Sequence, residues 1–408
     1  MNKTHDIVIA GAGVVGLAIA ALLARSPHGE RLRITLIDAG QPATLAVDDP
    51  TGLRVSALSV GSLGLLQSVG VTADMIAGRA CPYRDMRVWD QSGSAEGAAA
   101  LHFSAAEFAL PELGFIVEDL LMRQCLQQLL AESKVDVRYG ARIEAVVPND
   151  RGHAIVFDDG NELSADLLVG ADGGGSAVRR LSGIEVTGWQ YPQAALVTNV
   201  RCERPHQFTA WQRFMNDGPI ALLPLRDGRV SIVWSTDPDR ARELAAADPQ
   251  TLSRQLTTAS DGVLGELQVD APCGSFPLQA QHAKEYVRRG LVLTGDAAHT
   301  VHPLAGQGAN LGLADAAALA TVISTALGNG EYPGDLPVLR RYERARRGAN
   351  GTMLRFIDAI SRLFRTEAGW LSAARAGGMQ AFNRSPLLKR QAMSVALGLD
   401  TLQSGEQR

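Results

Sequence analysis

Cysteine is scarce in this chain: Cys81, Cys125, Cys202 and Cys273 lie far apart among 408 residues, with no Cys-x-x-Cys. That excludes zinc ribbons and a disulfide scaffold, and it suits a reducing compartment. An excess of one charge is lacking too, since the net charge is -4, so nucleic acid is a poor default partner. There is no internal repeat, low-complexity tract or long linker, and no Ser/His/Asp or Cys/His arrangement of the kind nucleophilic catalysis needs. Long apolar runs are nearly absent. Residues 7–24 carry no charge over 18 positions, but Gly11, Gly13 and Gly16 interrupt them, so they read as a strand, a turn and a helix rather than a membrane span or a signal-peptide core. No other segment is expected to cross a bilayer. Glycine, by contrast, is plentiful at 42 of 408 residues, against about 7% in ordinary chains, which favours tight turns and backbone close to ligands. With 46% apolar and 20% charged residues the chain is globular, and its length calls for one large domain or two interleaved ones.

Along the chain, His5–Ala10 and Leu32–Asp38 read as buried strands flanking a small-residue helix, a βαβ unit that implies a parallel sheet. Residues 56–69 read as helical, 115–132 contain another helix, and 166–170 are a short apolar strand. Between about 190 and 279 alternating β-rich runs take over (195–201, 220–224, 230–234), predicting a largely antiparallel sheet. Residues 291–294 return to the first pattern. The expected fold class is therefore α/β, with a discontinuous Rossmann-like nucleotide-binding domain (1–75, 100–185 and 285–335). An inserted antiparallel domain (76–99 and 186–284) and a helical C-terminal region (336–408) complete it.

Three loops carry the chemistry. Gly11-x-Gly13-x-x-Gly16 follows a strand and opens a helix, and Asp38 ends the next strand. Gly11 makes the turn, Gly13 lets backbone approach a pyrophosphate, Gly16 permits close packing, and Asp38 would accept from ribose hydroxyls. This motif does not separate FAD from NAD. The second loop, Gly295-Asp296-Ala-Ala-His-Thr-Val-His-Pro303-Leu-Ala-Gly306-Gln-Gly308-Ala-Asn310, places an acid after a strand and glycines before a helix. Such a loop can bind ribityl hydroxyls and aim amides at a flavin edge. The third, Gly170-Ala-Asp172-Gly173-Gly-Gly-Ser176, again sets an acid and glycines after a strand. Three such loops converge more naturally on one long dinucleotide than on three ligands.

Together these motifs resemble the group A flavoprotein aromatic monooxygenases of the para-hydroxybenzoate hydroxylase type. Within them, the second loop resembles the FAD-dependent hydroxylases of ubiquinone biosynthesis over nearly the whole chain. The segments 54–59, 81–90, 189–191, 211–214, 217–219, 231–235 and 388–392 share that resemblance. It implies non-covalent FAD, NADPH or NADH as reductant, and O2. The implied activity is hydroxylation of a polyprenylated benzoquinol or phenol through a flavin C4a-hydroperoxide. It assigns Gly11, Gly13, Gly16 and Asp38 to the ADP portion and Arg54 to the diphosphate or flavin region. Asp172 and Gly173 fall to FAD and the nicotinamide cofactor, Asp296 to the ribityl and pyrophosphate, and Pro303, Gly306, Gly308 and Asn310 to the flavin ring. It also implies partners from the same pathway, lipid-binding partners, and a cytoplasmic location with contact at the inner membrane. Two departures stand out: Asp119 where the family carries an amide, and Gly174-Gly175 where it carries a larger side chain.

Trp211, Gln212, Phe214 and Trp234 are candidates for the substrate sheet, with core packing as their ordinary alternative. His299 and His302, three apart, lack a third ligand at metal spacing, so no metal is expected. Cys202 and Cys273 read as inert. Arg340, Arg341, Arg344, Arg346 and Arg347 read as a solvated helix face held by pairs such as Glu343 with Arg347, or as attraction to anionic lipid. An apolar stripe at helical spacing (Met353, Leu354, Phe356, Ile357, Ile360, Leu363, Phe364) reads as packing onto the body or as a port for a lipid tail. Rival functions are a sibling hydroxylase acting on another ring carbon, a non-catalytic FAD-binding scaffold, and a plain NAD-dependent dehydrogenase.

Overall fold

The computed structural model describes residues 4–46, 48–302, 306–365 and 369–397. Apolar runs with almost no exposed positions become the strands of a six-stranded sheet. Its order is Val287–Arg288, Leu291–Leu293, Leu167–Gly170, His5–Ala10, Leu32–Asp38 and Asp136–Tyr139. All neighbours run parallel except the antiparallel edge pair 287–288 with 291–292. Helices cover this sheet, so its strands need no polar alternation. The helix Val14–Ala24 packs between the sheet and the helix Gln307–Gly328. The latter is, by length and composition, long and apolar enough to cross a membrane, which corrects the expectation that no such segment exists beyond residues 7–24. Its apolar face is buried in the core, including Leu313, Leu319 and Ile323.

Between the strands Leu167–Gly170 and Leu291–Leu293 the chain supplies five strands of an eight-stranded sheet, which His299–Thr300 edges on one side. Its central strands are Leu267–Ala283, Val186–Cys202, Val230–Thr236, Ile220–Pro224 and Thr209–Phe214, followed by Asp85–Asp90 and Leu101–Ser104. It is antiparallel apart from Thr209–Phe214 against Asp85–Asp90. Strand membership differs from the expected boundaries on one side of the molecule. Leu101–Ser104 joins this sheet, whereas Cys81–Tyr83 joins a small sheet with Val55–Ser59 and Gly114–Glu118. Those pairings connect residues far apart in sequence, and no local pattern encodes them. For the same reason residues 56–59, read as helical, are strand. The helix starts at Val60 with the Ser59 hydroxyl capping the Ser62 amide.

The C-terminal region is helical, with helices Leu336–Arg365, Gly369–Asn383 and Pro386–Leu397. The last two shield the edge strand Leu101–Ser104. Lys389 donates to the His102 carbonyl at 2.6 Å and pairs with Glu107 at 2.8 Å. Arg375 pairs with Asp90 at 3.1 Å, both almost fully buried. A covered edge offers no unpaired strand to a neighbour.

Candidate functional site

The loops following the strands His5–Ala10, Leu32–Asp38, Leu167–Gly170 and Leu291–Leu293 meet at one end of the parallel sheet, where open α/β sheets bind ligands. Gly11 has φ +108° and donates to the Ile37 carbonyl at 2.8 Å. A Cβ there would lie 2.3 Å from the Ala171 oxygen, and one on Gly16 would lie 1.9 Å from the Gly11 oxygen. Both glycines serve close backbone packing. Gly13 differs: a Cβ would meet nothing within 4 Å. It precedes a helix whose first amides have no side-chain cap. Open space beside uncapped amides is the cradle a pyrophosphate fits.

The three acids differ in what holds them. Asp38 accepts from the Ala12 and Gly40 amides, both at 2.6 Å, so it organises the loop. Asp172 accepts from the Ser176 hydroxyl at 2.5 Å and the Val178 amide at 3.1 Å, shaping its own loop. Gly173 beside it has φ +81° and open space. Asp296 is half-buried, and nothing among the described residues donates to its carboxylate. Burial raises its pKa; His299 and Arg54 oppose that rise, while Asp119 and Asp315 add to it. An accessible carboxylate without a partner, in a desolvated loop, fits hydroxyls of a ligand.

Arg54 is 79% exposed and lies 3.7 Å from Asp119. The acid that departs from the family pattern is thus paired with the arginine expected near the diphosphate. It also sits in the first turn of the helix Asp119–Ala131, where negative charge is favoured. The loop bearing Arg54 is held by Glu118, which takes Arg79 at 2.6 Å and the Gly52 amide at 2.7 Å. Gly306 caps the helix Gln307–Gly328 with φ +62°, and a Cβ on Gly308 would make only an ordinary contact, at 4.0 Å with Val301. Asn310, expected against the flavin ring, bridges backbone: it donates to Ala57 and accepts from Ser59, each at 2.9 Å. Pro303 lies outside the described residues.

Several residues that organise this site were not singled out from the sequence. Arg179 donates to the Ala297 carbonyl at 2.8 Å and the Gly174 carbonyl at 2.7 Å, clamping the second and third loops together. Asp315 is fully buried and takes His299 at 2.5 Å, the Gly295 amide at 3.1 Å, Arg346 at 2.6 Å and Asn350 at 3.0 Å. Burial opposes its ionisation, but His299 and Arg346 outweigh burial and hold its pKa down at about 2. Arg346, read as solvent-facing, is only 12% exposed. Glu343 accepts from the Tyr286 amide at 2.9 Å rather than pairing with Arg347, and Arg341 pairs with Glu331 at 2.5 Å. The lone charged residue of the helix Gln307–Gly328 was the signal available in the sequence.

Strand alternation divides the substrate candidates. Trp211 and Trp234 share a face with Leu222 and Ile232. They pack there with Leu252 and Leu256 of a covering helix, so these two tryptophans are core, not pocket. Gln212 and Phe214 project to the opposite face. There Phe214 stacks on Phe364 at 4.1 Å, and the cluster continues through Tyr191, Val301, Leu311, Leu354 and Ile357. His302 packs edge-on against Tyr191 at 4.9 Å. This apolar face joins the central sheet to the Val301–Leu311 region of the second loop. The stripe on the helix Leu336–Arg365 is split likewise: Leu354 and Ile357 are buried, whereas Phe356 is 60% and Leu363 44% exposed. Phe364→Ser should therefore raise KM for an apolar substrate several-fold, with Phe356→Ser leaving turnover of a short-tailed substrate intact; steady-state kinetics on both variants checks this. Burial pushes the Cys202 and Cys273 thiols up to about 11, so neither supplies thiolate near neutrality.

The architecture and its converging loops define a FAD-dependent monooxygenase. A family model described as "FAD binding domain" matches residues 4–356. p-Nitrophenol 4-monooxygenase PnpA from Pseudomonas putida DLL-E4 shares the fold with a TM-score of 0.75, 18% identity and full coverage of both chains. Among curated relatives, 3-demethoxyubiquinol 3-hydroxylase of Escherichia coli (strain K12) is 39% identical over 98% of this chain and 100% of its own. The mitochondrial ubiquinone biosynthesis monooxygenase COQ6 of Xenopus tropicalis is 35% identical over 96% of this chain and 93% of its own. The chain belongs to the FAD-dependent hydroxylases of ubiquinone biosynthesis. FAD is its cofactor, and NAD(P)H is the reductant typical of the family.

Proposed function

We propose that this enzyme hydroxylates the ring of a polyprenylated benzoquinol, at the carbon that a 3-demethoxyubiquinol 3-hydroxylase modifies. The observation carrying this reading is the apolar face bounded by Phe214, Phe364, Tyr191, Val301 and Leu311, which adjoins the second loop and suits a ring with a hydrocarbon tail. Reduced FAD, when bound, supplies activated oxygen for transfer to an electron-rich ring. The chain's own work is placement and exclusion of water. Gly11, Gly13, Gly16 and Asp38 would hold the ADP portion, Arg54 the diphosphate, and Asp296 the ribityl hydroxyls. Gly306 and Gly308 would bring backbone to the flavin, with Gly173 shaping the nicotinamide approach and Gln212 and Phe214 contacting substrate. In this reading segments 1–75, 100–185 and 285–335 serve FAD, while 76–99 and 186–284 serve substrate. A lipid-tailed substrate also calls for peripheral contact with the inner membrane from the cytoplasmic side.

The test is NAD(P)H oxidation by the purified yellow protein. A short-tailed demethoxy quinol should stimulate it and yield product one oxygen heavier by mass spectrometry, and acid precipitation should release the colour. Hydroxylation at another carbon would assign the enzyme to a sibling step. Bound FAD with no substrate-stimulated oxidation would leave a scaffold.

A further inference from the structure

The helix Leu336–Arg365 forms one wall of an open groove of about 550 Å³ that no step of the redox reaction uses. The opposite wall is Thr187, Trp189 and His282. Three guanidiniums line it: Arg344, Arg347 and Arg355. All three are exposed, and none forms an ion pair with a carboxylate among the described residues. The one acid on the wall, Glu343, is engaged by the Tyr286 amide. Burial lowers the His282 pKa, and His299, Arg347 and Arg355 lower it further, so the imidazole stays neutral and the positive charge of the groove comes from the arginines. A chain of net charge -4 thus concentrates positive charge at one concave place.

The floor of the groove is made by Gly348 and Gly351. Interior helical glycine is unfavourable relative to alanine, and internal packing does not require it here. A Cβ on Gly348 would meet nothing within 4 Å, and one on Gly351 would make only an ordinary contact at 3.7 Å with His282. The absent side chains keep the groove open. Beyond Arg355 the same helix presents Phe356, Ala359 and Leu363 to the outside, at i, i+3 and i+7. Cations in a groove followed by an exposed apolar strip complement an anionic head joined to a hydrocarbon chain.

We propose that this groove binds the phosphate headgroup of an anionic phospholipid, with the strip at Phe356 and Leu363 lying against the acyl region. The proposal rests on the reading of a membrane-derived substrate, because it gives the enzyme a docking point where that substrate resides.

The test uses the full-length FAD-loaded protein and sedimentation with two kinds of vesicle. One is phosphatidylcholine alone, and the other contains about 30% phosphatidylglycerol. Wild type should bind the anionic vesicles and release from them in high salt. Arg344→Gln with Arg347→Gln and Arg355→Gln should weaken binding roughly a hundredfold. Gly348→Leu with Gly351→Leu fills the groove without changing charge, and it should weaken binding at least about tenfold. Both variants should keep their FAD and their turnover of a short-tailed quinol. Loss in the arginine variant alone would show diffuse surface charge and overturn the groove. Unchanged binding in both variants would overturn it as well. So would inorganic phosphate binding the protein as tightly as soluble dihexanoyl-phosphatidylglycerol, since no lipid would then be recognised. Absence of quinol hydroxylation in wild type would instead refute the proposed reaction, whatever the vesicles show.

Discussion

Gly13→Ala is expected to leave the apo-protein as stable as wild type while weakening FAD binding by about one to two decades. Gly13 has φ -75°, which alanine adopts freely, and a Cβ there meets no protein atom within 4 Å. The added methyl would enter only the space beside the uncapped amides of the helix Val14–Ala24. Intruding on a close backbone–ligand contact costs roughly 1–3 kcal/mol, by analogy with overpacking. Gly16→Ala supplies the contrast. Its Cβ would sit 1.9 Å from the Gly11 oxygen, so the backbone must shift and the protein itself is destabilised. Chemical denaturation of apo-protein alongside FAD titration separates the two. A Gly13→Ala protein that binds FAD normally would remove the pyrophosphate from this turn.

Asp315→Asn should be more damaging than any change to a surface arginine. It leaves the inward-turned Arg346 without a carboxylate, and the asparagine's single amide oxygen can accept from only one of the two donor pairs, Arg346 with Asn350 or His299 with the Gly295 amide, while its NH2 group faces the other. Breaking a buried pair by removing one partner costs about 3–5 kcal/mol. The Gly295–Ala297 turn would lose its anchor, displacing Asp296 and lowering FAD affinity by about tenfold or more. The pH dependence has a definite sign. The folded-state pKa of Asp315 is depressed to about 2, so its contribution is complete above the ordinary carboxylate range. It disappears as pH falls through that lower value. The stability gap between wild type and Asp315→Asn should be constant from near neutrality to about pH 4 and close toward pH 2. Denaturant midpoints measured across that range check it. A gap that persists unchanged at the acid end would mean the carboxylate is not the stabilising group.

The amino-acid sequence by itself determined the sheet strands His5–Ala10 and Leu32–Asp38, the three glycine-bearing loops and the insertion of a second sheet. Each of these is encoded locally. Apolar runs bounded by glycine make strands and turns, and an acid at a strand end is visible wherever it stands. Tertiary structure alone decided what those residues face. Trp211 and Gln212 are neighbours in one strand, yet only pairing with Ile220–Pro224 and Val230–Thr236 settles which meets the covering helices and which meets the apolar face. Asp38, Asp172 and Asp296 look alike as strand-end acids, but the first two accept hydrogen bonds from their own loops, whereas no described residue donates to the third. The union of Asp315 with His299, Arg346 and Asn350 was likewise beyond local reading. It joins a glycine turn to two helices that come together only when the core closes, and burial then makes each charge depend on the other.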